Sequence, residues 1–445
     1  MDTNYKNKLK NCLQKIGLYF LFLILISCGD KSKTPVTQPP ADCTITSQNQ
    51  YVFDLMNDFY YWYDEVPSVD PSTYTSPEEL LEALKYSTLD RFSGISDQQS
   101  YSLFLGQGKF IGIGLRLILD NNNRLFVALT YSGSPAANAG IVRGTEIIAI
   151  NGYLVSTLLS GIDFDNAWGD TSLGTSATLD IILPGSNTTT TAILVREVVT
   201  IDSTQRVDTF TDNNGTKFGY LLFTNFFAGS TSTTPLNQAF SFFQSENIDQ
   251  LILDLRYNGG GSVQTATHLG GLIGGMITEN QIFTSLLYSD RYSHFNSNTI
   301  FQRKDESLSL NKIYIITTPA TCSASEMLIN SLSPHIEVVT IGNTTCGKPV
   351  GFNPQNFCDK TISAVNFEFR NSLNLGEFYS GLSATCTTTD NLLQPLGTAQ
   401  ENAVSIASYY QQNNQCPTGT ADYIDLQHRW HEIESSSIPD MRGIY

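Results

Sequence analysis

Leu253-Asp254-Leu255-Arg256-Tyr257-Asn258-Gly259-Gly260-Gly261-Ser262 is the stretch on which the reading of this chain turns. An apolar strand runs into three consecutive glycines and then into a helical pattern. Such a junction lets backbone N–H groups face an anion or a developing oxyanion, because no side chain blocks the approach. It lacks the Lys-Ser/Thr of a phosphate-binding loop and the spacing of a dinucleotide fingerprint. Taken alone, it fits a plain strand-to-helix turn as well. Outward from it, Phe218–Phe223, Gln250–Leu255, Lys312–Thr317 and Glu337–Ile341 are short apolar or β-branched runs. Helical stretches near 235–245, 262–272 and 324–333 separate them. This alternation predicts an α/β domain with a substantially parallel sheet.

A second chemical segment is Thr321-Cys322-Ser323-Ala324-Ser325-Glu326, followed by Thr345-Cys346-Gly347-Lys348. Ser323-x-x-Glu326 reads as a capping box. The capping role is the first reading of the residues alone; a nucleophilic serine at the same place also makes sense, since the helix N-terminus favours an oxyanion and the Ala324 amide can donate to it.

Upstream the texture differs. Val52, Leu55, Met56, Phe59, Tyr60 and Tyr63 recur at spacings of three and four and predict a helix with a buried aromatic stripe. Ser76-Pro77-Glu78-Glu79 predicts a second helix start, with Glu79 closing a capping box. From Phe110 strands and turns take over. Phe110-Ile111-Gly112-Ile113-Gly114-Leu115 precedes a strand to Leu119. A second strand covers Arg124–Tyr131, and Ser134-Pro135-Ala136-Ala137 opens a short helix. Arg143–Ile150 leads into an Asn151-Gly152 hairpin turn. Strands near Ala177–Leu183 and Thr191–Val195 complete the unit. This order resembles a PDZ domain. The resemblance implies that a peptide adds as an extra strand and that loop amides around Ile111, Gly112, Ile113 and Gly114 hold its terminal carboxylate.

Together, "DLRYNGGG", "SASE" and a Gly-Lys pair 25 residues after Ser323 resemble the tail-specific, or C-terminal-processing, serine protease family over roughly residues 49–410. That family joins a PDZ domain to a crotonase-like (ClpP/crotonase) α/β protease domain, often after a helical unit. The resemblance implies a multidomain α+β protein in which Ser323 is the nucleophile and Lys348 the general base. Amides of Gly259 or Gly260 and of Ala324 form the oxyanion hole, and Glu326 and Thr345 support the site. It implies no cofactor and no metal. A lysine in water has a pKa of ~10.4, so Lys348 must be buried to act as a base. Val350 and Phe352 are the candidates to shield it. Two positions depart from the family: Phe352 stands where some members have Gln, with Gln355 three positions late, and Pro334 stands where some have Asp. These departures motivate an alternative, a weak or inactive peptide-binding scaffold on the same fold. A crotonase-like enzyme acting on acyl thioesters is a third option. It leaves the lysine spacing and the PDZ-like unit unexplained.

The histidines compete poorly. His335 falls at the far end of the helix begun by Ser323. His428, His431 and Glu432 lack the HExxH pattern of a metal site, and His268 and His294 have no partner motif.

Composition sets the setting. The chain has 445 residues, 25 Lys+Arg and 42 Asp+Glu, for a net charge of −17. Such a surface repels phosphate, so no nucleic acid is expected as partner. Lys6, Lys8, Lys10 and Lys15 precede an apolar run from Ile16 to Ile26, too short to span a bilayer. Leu25-Ile26-Ser27-Cys28 resembles a bacterial lipobox, which implies a membrane anchor at Cys28 in the cell envelope. Gly29 after the cysteine points to the outer rather than the inner membrane. Cleavage would remove four Lys and one Asp with residues 1–27 and leave a charge of −20. Of the 8 cysteines, Cys12 is lost and Cys28 lipidated. Cys43, Cys322, Cys346, Cys358, Cys386 and Cys416 remain for disulfides. Cys358–Cys386 is the first pairing expected, and Cys322–Cys346 is either a staple across the site or two buried thiols. The expected order is a signal peptide at 1–27, a tether at 28–48, a helical domain at 49–105 and a PDZ-like domain at 106–196. An α/β serine protease domain at 197–410 and a tail at 411–445 follow. The expected partners are peptides or unfolded protein substrates, chiefly C-terminal tails.

Overall fold

A computed structural model describes residues 37–120, 122–158 and 164–418. The expected signal peptide at 1–27, the expected lipidation site Cys28, and His428, His431 and Glu432 lie outside the described residues.

Helix α1 (Ile45–Asp58) buries Tyr51, Val52, Leu55 and Met56, the stripe read from the spacing. Helix α2 (Pro77–Leu84) starts as expected at Ser76, whose side chain accepts from the Glu79 N–H. The return half of that capping box is not made: the Glu79 carboxylate accepts from Thr75 N–H and Oγ1 instead. Strand β1 (Gly94–Asp97) then pairs with a strand more than 260 positions further on, Gly94 facing Ser363.

The middle of the chain holds β2 (Lys109–Gly112), β3 (Leu115–Leu119), β4 (Leu125–Thr130), the short helix α3 (Pro135–Asn138), β5 (Glu146–Ile150) and β6 (Tyr153–Leu154). β7 (Ser176–Ile182), β8 (Thr189–Val195) and β9 (Glu197–Thr200) follow. An antiparallel sheet runs in the order β3-β4-β5-β7-β8, with β6 hairpinned to β5 across Asn151-Gly152. Both turn residues have positive φ, 48° and 84°, the geometry Asn-Gly favours. β2 pairs with β9 instead, so this unit runs to Thr200, past the expected 196. Side chains alternate between two cores. Leu115, Leu117, Leu125 and Val127 enter the unit's own core, whereas Ile118, Phe126 and Ala128 face Tyr220, Tyr257 and Tyr314 of the next domain.

That next domain contains β10 (Thr204–Thr211), β11 (Lys217–Phe223), helix α4 (Ser230–Glu246), β12 (Gln250–Asp254) and helix α5 (Val263–Thr278). β13 (Ile282–Tyr288), β14 (Ser297–Ile300), β15 (Lys312–Thr317), helix α6 (Ala324–Leu332) and β16 (Glu337–Gly342) come next. β17 (Val350–Gly351), β18 (Gln355–Phe357), β19 (Lys360–Ser363), β20 (Phe367–Arg370), β21 (Cys386–Thr387) and helix α7 (Asn402–Asn413) complete it. The main sheet has the order β10-β11-β12-β15-β16-β21, parallel except for β10–β11. A second sheet, β14-β13-β20-β17, is antiparallel. The helices of the N-terminal unit do not form a separate core: Leu55, Met56, Leu80 and Phe92 share one with Leu253, Leu269 and Leu328 of the α/β domain.

Among the described residues, three disulfides close the chain: Cys43–Cys358, Cys322–Cys346 and Cys386–Cys416. The expected Cys358–Cys386 pairing is therefore wrong. Cys43, just before α1, takes Cys358, and Cys386 in β21 takes Cys416 beyond α7. Cys43 is 315 positions from Cys358, whereas Cys416 is 30 from Cys386, about as far as Cys358 is, so spacing alone could not choose between them.

Candidate active site

The glycine turn sits at the C-terminal end of β12, where an open parallel sheet offers a crevice for ligands. Gly260 and Gly261 have positive φ and no room for a side chain. A Cβ on Gly260, at φ +110°, would lie 2.8 Å from both the Ser323 Cβ and the Cys322 carbonyl oxygen, and 2.9 Å from the Ala324 nitrogen. The glycine turn and the head of α6 are thus in direct backbone contact. Asn258 fixes the turn: its carbonyl accepts from Cys322 N–H and Ser325 Oγ, and its Oδ1 accepts from Gly260 N–H at 2.9 Å. The Gly260 amide is thereby consumed. The buried Gly259 amide and the Ala324 amide, the first of α6, make no hydrogen bond among the described residues. Of the expected oxyanion donors, Gly259 and Ala324 are therefore the two still available.

Ser323 caps α6 at φ +53° and ψ −114°, a region that costs a non-glycine residue on the order of 1–3 kcal/mol. Glu326, fully buried, binds both halves of the site. Its Oε2 accepts from Ser323 N–H at 3.0 Å and from Lys348 N–H at 2.8 Å. Its Oε1 accepts from Gly347 N–H at 2.7 Å and from Thr345 Oγ1. One carboxylate oxygen therefore pins the backbone of the expected nucleophile to that of the expected base. Burial pushes its carboxyl above the ordinary range, while the Thr345, Lys348, Gly347 and Ser323 donors pull the other way. The Cys322–Cys346 disulfide repeats the tie one residue before Ser323 and two before Lys348. Cys322, Glu326 and Cys346 are close enough together to suggest a metal site, but both sulfurs are spent in the disulfide and are no longer thiolate ligands.

Lys348 is buried, and its Nζ has no hydrogen-bond partner among the described residues. The amine–hydroxyl bond a Ser–Lys dyad needs is thus not made in this state. Burial lowers its pKa from 10.5 to about 7, against the pull of Asp90 and Glu326. Nζ instead sits 4.5 Å from the Phe352 ring centroid and 5.3 Å from that of Phe92. Gln355 does not replace the missing polar group, since its amide donates to the Asn353 carbonyl. Beside Ser323 is an apolar pocket lined by Val263, Met327, Val350, Phe352, Phe367 and Phe369. His335 lies elsewhere, its Nε2 3.2 Å from Ser372 Oγ, and His268 contacts Asn237.

The expected peptide-binding loop is in part already occupied by the fold. Ile111 and Gly112 pair with Val198 and Glu197, the Ile113 carbonyl accepts from Ala136 N–H, and the Gly114 carbonyl accepts from Tyr131 N–H. β3 next to it is an edge strand of its sheet.

Sequence reasoning missed the contribution of Leu89-Asp90-Arg91-Phe92-Ser93. Arg91 donates to the carbonyls of Cys346 (2.7 Å), Gly347 (3.3 Å) and Tyr379 (3.1 Å). Asp90 accepts from Tyr60 Oη and from the N–H groups of Phe92 and Ser93. The only local signal was an aspartate before a polar turn. Also missed was a buried network in which Arg256 pairs with Asp254, Asp390 and Glu401, while Arg143 pairs with Asp390 and Tyr257.

Comparison with known proteins finds similarity to one peptidase family. Residues 47–94 match the profile of the Peptidase S41 N-terminal domain, and residues 217–370 that of Peptidase family S41. A carboxyl-terminal-processing protease of Picosynechococcus sp. is 27% identical over 242 residues, 54% of this chain and 55% of that protein. One of Synechocystis sp. is 25% identical over 280 residues, 62% of this chain and 61% of that protein. The chain thus spans somewhat over half the length of these curated relatives. A Bacteroides fragilis structure provisionally assigned as an S41 protease superposes with a TM-score of 0.65 at 25% identity, covering 82% of this chain and 97% of that one. The photosystem II D1 C-terminal processing protease shares the fold, with a TM-score of 0.50 at 18% identity over 78% of this chain and 94% of that one. Two profiles of peptidase family S41 in chain order, together spanning less than half of the chain, and the names of the curated relatives make this chain similar to the C-terminal processing proteases of that family.

Proposed function

We propose that this chain is a serine endopeptidase that hydrolyses peptide bonds with a Ser323–Lys348 dyad. The observation that carries the reading is the common anchorage of the two residues on Glu326 Oε2, with the Lys348 amine buried and unpartnered. Neutral Lys348 takes the proton of Ser323 Oγ as Oγ bonds to the peptide carbonyl carbon. The oxyanion that forms meets the amides of Gly259 and Ala324. The Lys348 ammonium then gives its proton to the departing amine as the C–N bond breaks. Water, deprotonated by Lys348, hydrolyses the acyl-enzyme and restores both residues. Thr345 acts through Glu326.

In the same reading the middle β unit is PDZ-like. It takes C-terminal tails beside β3 near Ile111–Gly114 and hands them to a crotonase-like core. Cys28 carries a lipid that holds the protein in the cell envelope, at the outer membrane by the Gly29 argument.

The unmade amine–hydroxyl bond favours a second reading, an inactive peptide-binding scaffold. One experiment separates them: incubation of wild type, Ser323→Ala and Lys348→Ala with an unstructured, casein-like substrate. Cleavage by wild type alone is expected, with the variants down by at least ~10³-fold. Equal cleavage by all three excludes the dyad, and binding without cleavage by wild type favours the scaffold. Mass spectrometry of protein extracted from membranes should show an acyl mass that Cys28→Ser lacks; equal masses exclude the anchor.

A further inference from the structure

We propose that Lys348 is held without a polar third residue: Phe92 and Phe352 form a two-faced aromatic box around its amine, and Arg91 of the N-terminal unit clamps the loop that carries it. The proposal deepens the dyad reading and rests on it.

Three observations converge. First, the amine has aromatic faces where a hydrogen-bonding side chain would be expected, with ring centroids at 4.5 and 5.3 Å and no hydrogen bond. Two rings exclude water from the neutral amine. The same faces attract the ammonium once the proton has moved from Ser323, since an aromatic face carries partial negative charge. The box therefore serves both protonation states, which a purely aliphatic wall does not. Second, one half of the box comes from the N-terminal unit and is rigidly aimed. Asp90 accepts from the amides of Phe92 and Ser93, at 2.9 Å each, and is itself held by Tyr60 Oη at 2.7 Å. Third, Arg91 spends its guanidinium on carbonyls, binding Cys346 and Gly347 immediately before the lysine and Tyr379 beside them. The charged groups facing Lys348 are Asp90 from the N-terminal unit and Glu326 from α6, and Arg91 lies on its loop. Phe92, Phe352 and Arg91 are thus positioning residues, and the N-terminal unit is part of the site.

The test is the acid limb of the pH–kcat profile, which reports deprotonation of Lys348, measured for the full chain with a quenched peptide. Phe352→Gln gives the ammonium a hydrogen-bond acceptor and water, so its limb should move up by about one pH unit. Phe352→Leu keeps an apolar wall but removes a π face, so its limb should move down by about half a unit. Phe92→Leu should shift in the same direction as Phe352→Leu. Arg91→Ala should lower kcat at least ~10-fold with KM within about twofold, and Arg91→Lys should recover part of it. A second readout does not need activity: the NMR titration of the 13Cε signal of Lys348, identified by its absence in Lys348→Arg, should show the same shifts. Opposite shifts in the two Phe352 variants support the box. Shifts in one direction for both, or none, overturn it. If wild type cleaves nothing, the protease reading falls while the NMR titration still decides the box. Unchanged kcat in folded Arg91→Ala, checked by its thermal midpoint, overturns the clamp; should that variant fail to fold, Arg91→Lys with wild-type kcat and an unmoved limb does so.

Discussion

A lysine in water stays protonated up to pH ~10.4, and Lys348 is held where water does not reach. Its folded pKa of about 7 lies below the unfolded value. Between those two values the unfolded chain therefore binds more protons, and stability rises with pH. The cost of burying this residue is full below about pH 7 and fades toward pH 10. Lys348→Met should accordingly stabilise the fold by on the order of 3 kcal/mol at pH 6 and by little at pH 10. Thermal midpoints at the two pH values check this, and an equal gain at both would contradict it. Ser323, Ala324 and Glu326 were legible as candidates from a local capping motif, and Lys348 only through its spacing from Ser323, which resembles that of the protease family. Arg91 and Phe92 were not, since no pattern around them announces that they face a loop about 255 positions away.

At the scale of elements, the glycine turn joins a strand to a helix as its sequence suggested, with one refinement to the candidate oxyanion donors. Of the two adjacent amides proposed for the oxyanion, one is consumed by Asn258 Oδ1. Which of two neighbouring glycines keeps a free N–H depends on where a side chain folds back, and that is not written in their spacing. The approach of Gly260 to Ser323 predicts that Gly260→Ala forces the glycine turn and α6 apart. Its kcat should fall more than ~100-fold and its stability by about 2 kcal/mol, from the clash and the positive φ together. Single-turnover kinetics and urea unfolding measure the two effects; a variant with wild-type kcat would rule out this contact as the one that aligns the site. Helix starts were equally readable. Ser76 caps α2 as its position demands, yet Glu79 turns to Thr75, because a flexible carboxylate chooses among nearby donors by geometry.

Across the whole molecule, Arg256 joins parts that the sequence keeps apart. It lies two residues after β12 and binds Asp254, Asp390 and Glu401 in a fully buried cluster. Arg143 of the middle unit reaches the same Asp390. Although burial opposes ionisation, the guanidiniums of Arg143 and Arg256 hold the Asp390 carboxyl well below the usual range. Removing one partner of such a cluster leaves uncompensated buried charge. Arg256→Met should therefore cost about 3–5 kcal/mol in denaturant unfolding, and a loss under about 1 kcal/mol would show that the cluster does not hold the glycine turn's base in place. The shared core of α1, α2 and the α/β domain, and the Cys43–Cys358 disulfide, bind the chain's first described helix to its last third in the same manner.

The residue pattern alone was enough for the alternation of strands and helices, the antiparallel middle unit, the glycine turn and the capping serine at Ser323, and a family resemblance in motif spacing added Lys348 as candidate base. Periodicity, turn chemistry and short motifs are properties of neighbouring residues, and they survive without knowledge of the fold. Only the tertiary structure decided the disulfide pairing, the convergence of Ser323 and Lys348 on one Glu326 oxygen, the aromatic surroundings of the amine and the entry of the N-terminal unit into the site. Each of these depends on which distant segments are packed together and kept from water, and burial of that kind is set by the whole chain at once.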